Sequence, residues 1–197
     1  AAAQTTAVTG EVIPSDVPGL TAMAIRQPAG VVVGIAPWNA PVILSTRAVA
    51  TPLACGNTVV LKASEVSPRT HGAVARAIAD AGVPAGAINL LTHPAAAAPD
   101  VVDELIAHPA VRRINFTGST RVGRLVAENA ARHLKRVLLE LGGKAPLVVL
   151  ADADLDETVA AAKFGAFMHQ GQICMATERI VAVSSVADDV ASRLGEK

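Results

Sequence analysis

The chain has 197 residues, 51% hydrophobic and 17% charged but only 2% aromatic, enough for one good-sized domain, or one domain and a piece of another, with an aliphatic core. Lys+Arg and Asp+Glu both number 17, so the net charge is zero and no basic face is available for a run of phosphates, which excludes nucleic acid as the expected partner. The longest uncharged run, Gln27 to Thr46, is interrupted by three prolines and does not read as a membrane span.

The opening residues, "AAAQTTAVTGEV", lack a basic region followed by an apolar stretch, so no secretory signal is read there and the cytoplasm is the expected location. "EVIPSDVPGLTAMAIRQP" follows as two extended pieces around a Pro/Gly turn, a hairpin projecting from the rest within a segment 1–28. The strand "GVVVGIA" (30–36) runs into "PWNAP", where Asn39 is either a turn residue or an amide donor for an oxygen that becomes negative. Pro41 to Ala54 has helical spacing, and Cys55 after it reads as a small hydrophobe at the buried end of that helix.

The strand "TVVLK" (58–62) is followed by Lys62 and Glu65 three apart, a solvated pair or a grip on the two ribose hydroxyls of an adenosine. A carboxylate there repels a 2′-phosphate, which leans toward NAD over NADP. Ser67 before Pro68 marks the start of a helix to Ala81, with Gly82 beyond its end. "INLL" (88–91) leads through the alanine-rich "HPAAAAPD" into a helix Pro99 to Ala107.

After "VRRINF" (111–116), Gly118 and Ser119 open a helix to Arg132, a plain N-cap or a set of amides suited to a pyrophosphate. No G-x-G-x-x-G follows the first strand, so cofactor binding requires another geometry. In "RVLLEL" (136–141), Glu140 stands near the end of an apolar strand, where a charge needs a partner or a raised pKa, and is a candidate general base. "PLVVL" (146–150), a helix Leu155 to Met168 and "RIVAV" (179–183) complete the pattern. Between the last two, Cys174 lies in "HQGQICMATE" among small and polar neighbours, poor company for a thiol that only fills a core.

Strand and helix in repeated alternation with short links predict an α/β fold with a doubly wound parallel sheet, whose ligands bind beyond the carboxyl ends of the strands. The expected organisation is the hairpin segment 1–28, a dinucleotide-binding domain over 29–142 and the start of a second α/β domain over 143–197. Two cysteines without CxxC or Cys/His ligand spacing predict neither a disulfide framework nor a metal site.

The ordered motifs "PWNAP", "LKASE", "FTGSTRVG", "LELGGK" and "GQIC", with thirty-four residues from Glu140 to Cys174, resemble the aldehyde dehydrogenase superfamily from about residue 11 onward. The resemblance implies NAD, or NADP, as cofactor and an aldehyde as substrate. It makes Cys174 the nucleophile, Glu140 the general base and Asn39 the side-chain donor of the oxyanion hole. Lys62 and Glu65 then hold the adenosine ribose, and Gly118 and Ser119 lie at the pyrophosphate. Ile35, Pro37, Trp38, Phe116, Val122, Leu141 and Gly142 line the dinucleotide.

Glu140 favours hydrolysis of the acyl-enzyme over transfer to coenzyme A. "HQGQICMATERIV" and "VILSTRAVATPLACGN" look most like the branch acting on aromatic aldehydes such as salicylaldehyde, vanillin or benzaldehyde, with Arg47 either beside the substrate or a helix-surface charge. "HPAAAAPD" departs from the glycines that many members place after the corresponding strand. Because family members are much longer, the chain is expected to be a central fragment of an enzyme that forms homo-dimers or homo-tetramers, the alternative being a nucleotide-binding fragment without turnover of its own.

Overall fold

The computed structural model describes residues 2–196, which divide into two compact units, Ala1–Glu140 and Leu141–Lys197. In the first unit a 3-10 turn, Ala2–Ala7, precedes strands β1 (Glu11–Ile13) and β2 (Ala22–Ala24). These pair antiparallel with Val12 opposite Met23, the expected hairpin.

The main sheet contains β3 (Val31–Ile35), β4 (Thr58–Lys62), β5 (Ile88–Leu91), β6 (Val111–Gly118) and β7 (Arg136–Leu141), in the spatial order β5-β4-β3-β6-β7. The β3–β4, β4–β5 and β3–β6 pairs are parallel. The connecting helices are α1 (Pro41–Ala54), α2 (Pro68–Asp80), α3 (Ala98–Ala107) and α4 (Thr120–Arg132). α1 packs on α2 and on β3 and β4, while α3 packs on α4 and on β6. The chain winds outward from β3 through β4 to β5, then returns past β3 to β6. With right-handed crossovers, that reversal places α1 and α2 on one face and α3 and α4 on the other.

Central β3 is apolar along both faces, as a strand covered on two sides must be, with Val32, Val33 and Ile35 buried. Gly34 lets α1 approach, since a Cβ there would stand 3.0 Å from the Ala48 Cβ. Val32, Ala36, Ala48, Val49, Val59 and Leu61 form the core between α1 and the strands.

Two local expectations are refined. Ser67 occupies the N-cap position of α2, but its hydroxyl makes no capping bond, so the start of the helix rests on the fixed φ of Pro68. Cys55 caps the end of α1 and is half-buried rather than enclosed.

In the second unit β8 (Pro146–Val149) and β9 (Arg179–Ala182) pair in parallel through α5 (Leu155–Phe167), whose start is capped by Asp154 accepting from the amides of Asp156 and Glu157. α6 (Ala187–Gly195) was absent from the sequence reading. It is short and buries only Val190, too little apolar repetition to stand out.

The turn into β4 depends on Asn57. Its Oδ1 accepts from the amides of Ala29 and Gly30 at 2.7 and 3.1 Å, and its Nδ2 donates to the Pro52 carbonyl at 3.0 Å. Asn57→Ala is expected to destabilise the first unit by about 1–3 kcal/mol, because the freed Ala29 amide and Pro52 carbonyl are partly buried. Urea unfolding should show a lowered midpoint with an unchanged slope, and Asn57→Asp, which keeps the acceptor, should recover part of the loss.

Candidate active site

The reversal of strand order lies between β3 and β6, whose carboxyl ends stand side by side with Ile35 opposite Phe116. A crevice opens at such a point because the crossovers on its two sides leave toward opposite faces. An open cleft of about 920 Å³ occupies this end of the first unit, and Ile35, Lys62, Glu65, Phe116 and Val122 of the sequence-derived set all line it. α3 and α4 form the remaining wall, with Leu125 and Val126 among its apolar residues.

Lys62 is buried at the end of β4, and its Nζ contacts the Glu65 Oε1. A second partner, His93 after β5, stands with Nε2 3.2 Å from the same oxygen. Burial alone would raise the Glu65 pKa. The Lys62 hydrogen bond, the residue's own amide, and the charges of Lys62 and His93 outweigh it and hold the carboxyl below its ordinary 4.5. Glu65 is therefore a carboxylate at neutral pH that can accept through both oxygens, a chemistry suited to sugar hydroxyls.

Pro37, Trp38 and Asn39 occupy the loop after β3, with Trp38 exposed and Asn39 half-buried. His71 supports this loop and the one after β4 from beneath. Its ring is fully buried, and Nδ1 accepts from the Ser64 amide at 3.1 Å. The neutral proton therefore sits on Nε2, where the Pro37 carbonyl faces it short of good hydrogen-bond geometry. Burial, aided by the Lys62 charge, lowers the His71 pKa below 6.5, against the opposing pull of that carbonyl.

At the end of β6, Gly118 must lack a side chain, since a Cβ would come within 2.6 Å of the Phe116 ring. Ser119 caps α4, its Oγ accepting from the Val122 amide at 3.3 Å. Glu140 is exposed at the end of β7, so its charge does not require the partner or raised pKa expected from an apolar strand. Arg47 on α1 lies with Nη2 3.5 Å from Glu140 Oε1, both side chains about half exposed.

In the second unit, Leu141 is half-buried and Gly142 exposed. Cys174 is an exposed free thiol. The chain reaches it through three successive left-handed residues, His169, Gln170 and Gly171, with φ of 51°, 55° and 72°. Two of these are not glycine, a backbone cost of the kind that surrounding structure must hold in place. After Cys174, Ala176 is buried, and the Thr177 amide donates to the Gly165 carbonyl at 2.9 Å. The turn is thereby tied to α5 while the sulfur stays open. No group of three or more His, Cys, Asp or Glu able to hold a metal occurs among the described residues, and no described helix is long and apolar enough to cross a membrane.

A family model described as the aldehyde dehydrogenase family matches residues 1–197. The chain belongs to the aldehyde dehydrogenase family. It is 63% identical over 197 residues to a vanillin dehydrogenase of Pseudomonas fluorescens, covering all of this chain and 41% of that relative. A crystal structure of a salicylaldehyde dehydrogenase from Pseudomonas putida G7, complexed with salicylaldehyde, is 50% identical with a TM-score of 0.95, over 98% of this chain and 40% of that one. An NAD-dependent benzaldehyde dehydrogenase from Corynebacterium glutamicum is 44% identical with a TM-score of 0.90, over 98% and 42%. This aldehyde dehydrogenase chain thus spans about 41% of the length of the curated relative it matches.

The sequence reading missed His71 and His93. His71 sits on a helix otherwise read only by its periodicity. His93 was met only as part of a departure from the family pattern, and its link to Glu65 needs the β4–β5 pairing to become visible.

His71 yields a pH prediction. A base whose folded pKa is lowered contributes its full stability above its unfolded value of 6.5 and loses it as pH falls through the folded value. The parent should therefore lose more stability between about pH 7 and about pH 5 than His71→Gln, read from urea unfolding at both pH values. In the second unit, a Cβ at Gly165 would stand 2.4 Å from Thr177 Oγ1. Gly165→Ala should destabilise by about 1–3 kcal/mol and change the rate at which Cys174 reacts with a thiol reagent, since the displaced turn carries that residue.

Proposed function

We propose that the protein oxidises an aromatic aldehyde to its carboxylic acid, with NAD as acceptor and NADP as the alternative, through covalent catalysis at Cys174. The observation that carries this reading is the exposed Cys174 thiol on a turn tied to α5, in a chain whose whole length matches the aldehyde dehydrogenase family. The vanillin, salicylaldehyde and benzaldehyde relatives support the aromatic substrate class. Two free thiols fit a reducing cytoplasm.

In the proposed mechanism the Cys174 thiolate adds to the aldehyde carbon, forming an S–C bond and moving the carbonyl pair to oxygen. The Asn39 amide and the backbone N–H of Cys174 donate to that oxyanion. A bound nicotinamide dinucleotide would supply the acceptor for the hydride lost from that carbon, which leaves a thioester on Cys174. Lys62 and Glu65 would hold its adenosine ribose, Gly118 and Ser119 would face its pyrophosphate, and Ile35, Pro37, Trp38, Phe116, Val122, Leu141 and Gly142 would line its path. The Glu140 carboxylate then takes a proton from water as that water attacks the thioester carbon. The C–S bond breaks, the acid leaves, and Cys174 returns as thiolate. Arg47 stands 3.5 Å from Glu140, and its remaining N–H groups are available to a ring hydroxyl or carboxylate.

The hairpin residues Val12, Met23 and Ile25 are exposed and apolar, which supports a homo-oligomer built in part through β1 and β2. A second reading, dinucleotide binding without turnover, is favoured by one observation: the cleft of about 920 Å³, with Lys62 and Glu65 in its wall, is formed within the first unit by itself.

Stopped-flow measurement of cofactor reduction with salicylaldehyde, vanillin and benzaldehyde separates the readings. Asn39→Ala should slow acylation by about 10²–10³-fold. Glu140→Gln should keep a burst of one equivalent and lose steady-state turnover, since only deacylation needs the base. Cys174→Ala should abolish both phases; a burst that survives it overturns the covalent mechanism. NAD binding without a burst from any aldehyde would favour the second reading.

A further inference from the structure

We propose that His93 is a positioning residue that fixes Glu65 for the adenosine ribose and thereby sets the preference for NAD over NADP, an inference that rests on the cofactor reading above. His93 opens the segment that departs from the family's glycines. Its side chain is only 4% exposed, and its Nε2 lies 3.2 Å from Glu65 Oε1. Its Nδ1 stands 2.9 Å from the Pro94 carbonyl. Nε2 approaches the carboxylate without reaching good hydrogen-bond geometry, so the contact is one of close packing and charge.

Lys62 Nζ meets the same Glu65 oxygen from the end of β4. Glu65 sits on a loop, and Lys62 alone would be a single tether through which the carboxylate could still rotate. His93 adds a second tether from the neighbouring strand, because β5 pairs with β4 and Leu91 lies opposite Lys62. The Lys62 donor and the buried His93 ring, both against Oε1, limit how far the carboxylate can turn. They leave Oε2 to accept from ribose hydroxyls in the cleft that Lys62 and Glu65 line. A carboxylate held in that way also stands against a 2′-phosphate, whereas a loosened one can swing aside. His93 therefore acts on the difference between the two cofactors through Glu65.

The test is isothermal calorimetry of NAD and NADP on the purified protein, on His93→Ala, His93→Gln and Glu65→Gln, and on the Glu65→Gln/His93→Ala double variant, with thermal melting to confirm that each is folded. His93→Ala is expected to raise the Kd for NAD by up to about tenfold, as a freed carboxylate turns away from the ribose, and the Kd for NADP by less. His93→Gln, whose amide donor reaches the same oxygen, should restore most of the NAD preference. In the Glu65→Gln background His93→Ala should leave the ratio of the two Kd values unchanged, since its route runs through that carboxylate. An unchanged ratio in the single His93→Ala variant, or NADP weakened more than NAD, overturns the proposal. A parent protein that binds neither dinucleotide overturns the cofactor reading and this inference with it. That pattern is distinct from a parent that binds NAD and a variant that binds it equally well.

Discussion

The parallel pairing of β3 with β6, which puts Ile35 beside Phe116, is the constraint on which the first unit depends. It forces the order of the sheet to reverse at β3, so the crossovers on either side leave toward opposite faces and a crevice opens at the carboxyl ends of the two strands. Lys62 reaches that crevice because β4 is the other neighbour of β3, with Lys62 opposite Ile35. The fit depends on small residues. Gly34 and Ala48 let α1 lie close on β3, and Gly118 leaves room for the Phe116 ring at the edge of the cleft.

A central strand buried on both faces leaves little room for charge, yet charged and polar groups concentrate at its carboxyl end. Lys62 is tolerated there because Glu65 neutralises it, and Glu65 stays ionised because the bond and charge of Lys62, its own amide and the neighbouring His93 outweigh its partial burial. Beneath them His71 solves the same problem by remaining neutral, with its Nδ1 accepting from the loop after β4 and its other face turned to the loop after β3. The two loops, which carry Asn39 and Glu65, are supported by a common ring.

In the second unit the cost lies in the backbone rather than in desolvation. Left-handed conformations at His169 and Gln170 are unfavourable for residues with a Cβ, and the bond from Thr177 to Gly165 with the burial of Ala176 holds the chain beyond them. The result is an open cysteine on a backbone that is tied down on its far side. Such a position fits a nucleophile, and it fits poorly with a thiol kept for packing alone.

The sequence by itself determined the kind and order of the elements. The β-branched runs at 58–62 and 88–91 and the helix Pro41–Ala54 coincide with those observed, because local propensity, proline and the hydrophobic period all act over a few residues. The motifs around Asn39, Glu65, Ser119, Glu140 and Cys174 were legible for the same reason, since each is a short run at the end of one element. Weak local signals were not: α6 buries a single valine, and Ser67 looks like a cap although its hydroxyl does not act as one. Only the tertiary structure decided that His93 meets Glu65, that Arg47 stands by Glu140, and that His71 lies under two loops at once. Those contacts join residues from different elements. Their distances are set by strand order and helix packing, which no window of the sequence contains.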